Sequence, residues 1–226
     1  MHRRACHAVL CLTLAPPTAG LAAAVLAAQE PPAALEAEAF LARDSHQGVT
    51  IAARPVPDTP EAEKIFGNNA APTPAGFLPV ELLILNERDE PIAVTLARAE
   101  INSEGERFEQ ADAERVALAL YPLPESVEPK VGTGPRLPVP WPQGPKAPKD
   151  KKRAEREEAE AALRSRQLRA KQVPPGGRAR GFLYFDLRGA GIDLRHAVVY
   201  LPEVEAVTSK EGLLFFEVSL APYAQP

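Results

Sequence analysis

Between Tyr121 and Lys149 the chain carries nine prolines. No helix or sheet ladder runs through such a stretch, because each proline lacks a backbone donor and fixes its own φ. The segment, 122–148, reads as an extended, polyproline-like linker. Any fold must therefore be assembled from the residues on either side of it. Beyond the linker the composition turns to charge and alanine, with ten Lys/Arg against five Asp/Glu between Lys146 and Lys171. Glu160 and Arg164 have the spacing and orientation of an i,i+4 pair, so a charged helix is expected over 149–172. Its apolar residues, Leu163 and Leu168 with alanines, are too few for a core-facing stripe. The helix is expected to project into solvent or meet a partner. Removing 146–172 should then leave the fold intact.

The flanking blocks read as strands. Gly48–Ala52 is β-branched and opens the pattern after a lead-in, 29–47, whose helical stretch runs from Ala33 to Arg43. Thr59 as cap, Pro60 and Gly67 bound a short helix. In Leu78–Asn86, Val80, Leu82 and Ile84 share one face while Leu83 and Leu85 make the other apolar, the pattern of a central strand. The polar turn Glu87–Pro91 and the alternating Ile92, Val94 and Leu96 suggest that a hairpin follows. A turn at Asn102–Gly105 precedes Arg107–Phe108, and Asp112–Leu120 fits a helix. After the turn Pro174–Gly177 come three strands: Gly181–Leu187, Ala197–Leu201 and Leu213–Leu220. Short strands with turn punctuation and few helices favour a mainly β fold, a β-sandwich over 48–221 with the insertion 122–178.

The start of the chain points to export. Met1-His2-Arg3-Arg4 is basic, Ala5–Gln29 is uncharged and rich in Ala, Leu and Val, and small residues meet the first acids near Ala28. That is the order of a cleavable signal peptide, 1–28, cut after Ala27 or Ala28. Pro16, Pro17 and Gly20 interrupt the apolar run, so no stable transmembrane anchor is expected after cleavage. Processing would remove Cys6 and Cys11, the only cysteines, and leave a domain without disulfides. It would also remove Arg3 and Arg4, taking the formal charge from −4 to about −6. A periplasmic or secreted location follows, and neither charge nor compartment favours nucleic acid.

Catalytic chemistry finds little material. Asp44-Ser45-His46 has the residue types of a nucleophilic triad, but consecutive residues of an extended chain diverge. Zinc requires three or four ligands, and the processed chain has only His46 and His196 without cysteine. Asp193 and His196 share a turn but lack a third ligand nearby. Glu61, Glu81, Asp89, Glu104 and Asp186 are acids of suitable type with no telling spacing. Gly132–Gly134 and Gly176–Gly181 precede a proline and a strand rather than a helix, so they are turns before they are phosphate cradles. Arg178 and Arg180 beside the second are the candidate anion contacts there. No catalytic residue, metal site or cofactor is expected.

The candidate partner-binding residues are Lys149, Lys151, Lys152, Arg153 and Arg156 on the charged helix, with Trp141 in the linker as an anchor for a polyproline ligand. An envelope protein or an anionic envelope surface is the expected partner.

Two segments carry a resemblance. Gly76-Phe77-Leu78-Pro79-Val80-Glu81-Leu82-Leu83-Ile84-Leu85-Asn86 follows a G-x-L-P-V-x-L-x-I-x-N pattern and resembles uncharacterised exported bacterial proteins. Pro174–Phe185 looks like the turn and strand late in immunoglobulin-like envelope domains. The resemblance spans 48–121 and 173–221 and implies an immunoglobulin-like β-sandwich split by the insertion. It brings no activity with it. The expected function is a non-catalytic exported binding or structural module. The alternative is a small-ligand binder or a carboxylate-dependent enzyme whose site forms only in the fold.

Overall fold

The computed structural model describes residues 37–122, 149–187, 190–213 and 215–224, which belong to one compact unit, Pro31–Pro226. The segment read as an export signal, linker residues 123–148 with Trp141, and Gly132–Gly134 lie outside the described residues.

Strand β1 (Ala42–His46) folds back on β2 (Val49–Pro55) through Gln47 and Gly48. Both turn residues have left-handed backbone, φ 51° and 74°, which matches the twist of a tight hairpin. The lead-in thus leaves the expected helix before Arg43. Cross-strand pairing with β2, in register Ala42↔Ala53, overrides the local helical propensity of the preceding Ala, Leu and Glu.

Strand β3 (Phe77–Asn86) is buried along its whole length. Leu78, Val80, Leu82 and Ile84 enter the main core. Leu83 and Leu85 pack with Phe40 and Ala52 on the other face, as the double apolar pattern implies. Strand β3 pairs with β2 on one side and with β8 (Arg178–Asp186) on the other. Both of its edges are therefore occupied, and β4 (Ile92–Val94) cannot form the expected hairpin with it. Instead β4 joins a second sheet, between β7 (Gln172–Val173) and β10 (Val204–Ala206). Asn86 pins the crossing point: its buried Nδ2 donates to the carbonyls of Glu90 (2.8 Å), Val173 (3.0 Å) and Pro174 (3.1 Å).

The remaining strands are β5 (Glu100–Ser103), β6 (Glu106–Ala111), β9 (Val198–Leu201), β11 (Gly212–Leu213) and β12 (Phe216–Ser219). The stretch expected as one strand, Leu213–Leu220, is thus divided between two sheets. The larger sheet has eight antiparallel strands in the order β1-β2-β3-β8-β6-β5-β9-β12; the smaller runs β11-β10-β4-β7. The mainly β expectation holds. The two outer strands of the larger sheet approach each other: the Glu217 amide of β12 donates to Asp44 Oδ2 of β1 at 3.0 Å, and Phe216 stacks on His46 at 3.9 Å. This sheet is therefore a nearly closed barrel, and the strand order does not by itself establish an immunoglobulin-like sandwich.

Inside the barrel lie Ile51, Leu82, Ile101, Leu183, Phe185, Val199 and Phe216. A second core forms outside it, where helices cover β3 and β8. Helix α1 (Thr59–Phe66) begins one residue after its cap position, Asp58, carries Pro60 in its first turn and ends at Gly67 with φ 88°. Helix α2 (Ala113–Leu120) is capped by Asp112, whose carboxylate accepts from the Arg115 amide at 2.7 Å.

Helix α3 (Lys149–Arg166) departs from expectation. Ala159 and Leu163 are buried with Phe66, Val116, Phe182 and Tyr184, and Leu168 just beyond the helix is buried in the barrel core. The Leu168 amide donates to the Phe182 carbonyl at 2.9 Å, extending the wall of β8. Position 181 must be glycine for this approach, because a Cβ there would lie 2.7 and 2.8 Å from the Leu168 backbone. Leu163 needs few companions because the surface it meets, Phe66, Phe182 and Tyr184, is aromatic. The C-terminal half of the insertion is therefore part of the core, and deleting 146–172 would remove core rather than an appendage.

Candidate partner-binding surface

Anchored through Ala159 and Leu163, α3 holds its opposite end in water: Lys151, Lys152 and Arg153 are exposed, and Arg156 is half-buried. Lys151 lies 3.8 Å from Glu155, and Arg153 donates to Glu157 at 2.9 Å, both one turn along. The charges are segregated along the helix. Lys149 to Arg153 is mostly basic, Glu155 to Glu160 mostly acidic, and Arg164 and Arg166 close it. The positive end of the helix dipole sits at the N-terminus and favours carboxylates there. The cluster at Lys149, Lys151, Lys152 and Arg153 thus stands where helix electrostatics disfavours it. Trp141, the other proposed contact, is outside the described residues.

A second open surface surrounds the turn Leu96–Arg98. Three hollows of about 520, 520 and 610 Å³ adjoin pairwise, through Ala93 and Thr95, through Ala97, and through Pro202. Phe215 lies at their rim, 48% exposed, tilted against the Tyr200 ring at 5.7 Å. Ion pairs line these hollows, among them Arg98 with Glu203 and Arg107 with Glu100.

The acids singled out in the sequence are mostly counter-ions of arginine. Buried Glu81 accepts from Arg54 at 3.0 Å and Arg180 at 2.8 Å. Arg54 also donates to Glu61 at 2.9 Å. Arg180, one of the proposed anion contacts, is thereby engaged and also lies over the Phe40 ring. Asp186 pairs with Arg115 at 2.6 Å, and Asp89 stands exposed in a turn. Around Asp44, alternation along β1 separates the triad types. His46 Nδ1 lies 3.4 Å from Asp44, whereas Ser45 bonds Thr50 at 2.8 Å on the opposite face.

One convergence escaped the linear reading. Glu104 opens the turn between β5 and β6, with φ 52°, and joins Asp193 and His196, whose ligand atoms all lie within 4.8 Å of one another. Asp193 starts a short 3-10 turn and accepts from the Arg195 amide and guanidinium. These hydrogen bonds hold its carboxyl down at about 2. Glu104 had no local signal, because it is brought in by the pairing of β5 with β9.

Among the described residues no helix is long and apolar enough to cross a membrane. Comparison with known protein families, with curated proteins and with solved structures gave no match for this chain.

Proposed function

We propose that this chain is an exported, non-catalytic binding or structural module that meets an acidic envelope partner through the basic end of α3. The observation that carries the reading is the cluster Lys149, Lys151, Lys152 and Arg153 at the N-terminal end of a helix whose other end is anchored in the core. Cations at that end cost the helix a few tenths of a kcal/mol each. Lys151 and Arg153 each pair with a glutamate one turn along, yet Lys151, Lys152 and Arg153 stay exposed, and their summed positive charge is what an anionic partner would meet. The arginine-neutralised acids support the non-catalytic part, since carboxylates tied to guanidinium groups are poor acids and bases. The proposal also keeps the immunoglobulin-like reading of the β-rich body, which the antiparallel strands support and the near closure of the large sheet does not.

The test is capture from bacterial envelope fractions by crosslinking, with mass analysis of the captured chain's N-terminus. The fold-preserving variant is the triple charge reversal Lys151→Glu, Lys152→Glu and Arg153→Glu. The expected result is a chain beginning at residue 28 or 29 and a partner lost with the reversal and with added salt. Equal capture by both forms would overturn the role of α3. An unprocessed N-terminus would overturn export by signal cleavage.

A further inference from the structure

We propose that Glu104, Asp193 and His196 form a binding site for a first-row divalent cation, a clip between two turns. The fold brings them together independently of any ligand. Strands β5 and β9 pair with Asn102 opposite Val198. The β5–β6 turn and the Asp193–His196 turn therefore lie at the same end of neighbouring strands. Ser103 Oγ donates to the Asp193 carbonyl at 3.3 Å and joins the turns directly.

The donor set decides the class of ion. Two carboxylate oxygens and one imidazole nitrogen suit Zn²⁺ or Mn²⁺. Ca²⁺ and Mg²⁺ take oxygen ligands throughout. Donor atoms around such an ion sit about 3.3 Å apart at bond lengths near 2.1 Å. The three atoms, within 4.8 Å of one another, have to draw in by no more than about 1.5 Å, which the exposed side chains of Glu104 and His196 achieve by changing rotamer. Three protein ligands leave positions for water, and a hollow of about 300 Å³ lined by Ser103, Glu104, Glu106, Ala190 and Gly191 adjoins the site. Glu106 adds negative charge on that side.

Arg195 sets the affinity. Its Nη2 donates to Asp193 Oδ2 at 2.6 Å and its Nε to Oδ1 at 3.0 Å. This fork orients the carboxylate but puts a like charge beside any bound cation. A metal ion must displace part of the fork, so Arg195 acts as a built-in competitor.

The experiment is titration of the full-length, isotope-labelled chain with Mn²⁺, read as paramagnetic broadening of amide signals. Mn²⁺ is chosen because thiolates, here Cys6 and Cys11, select softer ions. Broadening is expected to centre on Glu104, Asp193 and His196. Apparent affinity is expected to fall at least tenfold in His196→Ala and in Glu104→Gln, and to rise about tenfold in Arg195→Gln as the competing charge goes. Unchanged amide spectra in the absence of metal verify that each variant is folded. Broadening spread over the acidic surface, or unaltered by the first two substitutions, would overturn the site. Absence of a gain in Arg195→Gln counts against the competition that the proposal assigns to it.

Discussion

The Tyr184 hydroxyl donates to the Leu163 carbonyl across 2.8 Å in the buried seam between β8 and α3. The same carbonyl accepts from the Gln167 amide at 3.0 Å, so removing the hydroxyl leaves no orphaned acceptor. Tyr184→Phe should therefore cost about 1 kcal/mol, the net worth of one hydrogen bond, as measured by urea unfolding. A loss of 3 kcal/mol or more would mean that the hydroxyl supports more than α3.

That phenol also predicts an alkaline signature. Burial pushes it well above its usual value near 10, so the unfolded chain ionises first. Its contribution is fully present below about 10 and is lost as pH rises towards the folded value. Wild type should lose stability above pH 10 more steeply than Tyr184→Phe, with unfolding free energies across that range as the measurement.

Leu163→Ala should destabilise by roughly 2–5 kcal/mol, the cost of a cavity at a fully buried leucine. Lys152→Glu, about three turns towards the solvent end, should change stability by less than about 0.5 kcal/mol. Equal, small effects in thermal denaturation would show that α3 is not part of the core.

Gly181→Ala puts a methyl within 2.7 Å of backbone rather than of a yielding side chain. The expected loss is about 1–3 kcal/mol, from the backbone shift it forces. Exchange of the Leu168 amide with solvent, measured by hydrogen–deuterium exchange, should accelerate in the variant.

Glu90 ties the β3–β4 connection to Thr208 and Ser209. The Ser209 backbone and hydroxyl donors, with Arg88 and the Thr208 amide, hold its carboxyl below the usual carboxylate value near 4.5. Its contribution is present above that value and is lost as pH falls through the lower folded one. In an acid titration followed by circular dichroism, the gap between wild type and Glu90→Gln should close on the acid side.

The central strand was readable because Leu82 and Ile84 against Leu83 and Leu85 obey a two-residue period that only double burial explains. Its partners were not. Whether Ile92–Val94 returns beside β3 depends on β8 already holding that edge, and β8 lies beyond the linker. Leu163 looked insufficient on its own helix because the aromatic surface of Phe182 and Tyr184 that completes its environment belongs to another segment. The basic end of α3 was legible as a run of charge, whereas its anchoring was not. Glu104 likewise carried no local sign of its meeting with Asp193 and His196, since strand pairing supplies it.

The ladder between β3 and β8 has a consequence for how the chain is made. Arg180 reaches Glu81 diagonally across the ladder from 99 residues further along the chain, so β3 leaves the ribosome long before the strand that covers it. At synthesis rates of 5–20 residues per second, this apolar edge waits roughly 5–20 s for its neighbour. Throughout that interval it is a template for any other nascent strand. Glu81, which Arg54 of β2 can already engage, is the one charge on the waiting edge, and Arg180 joins it only when β8 arrives.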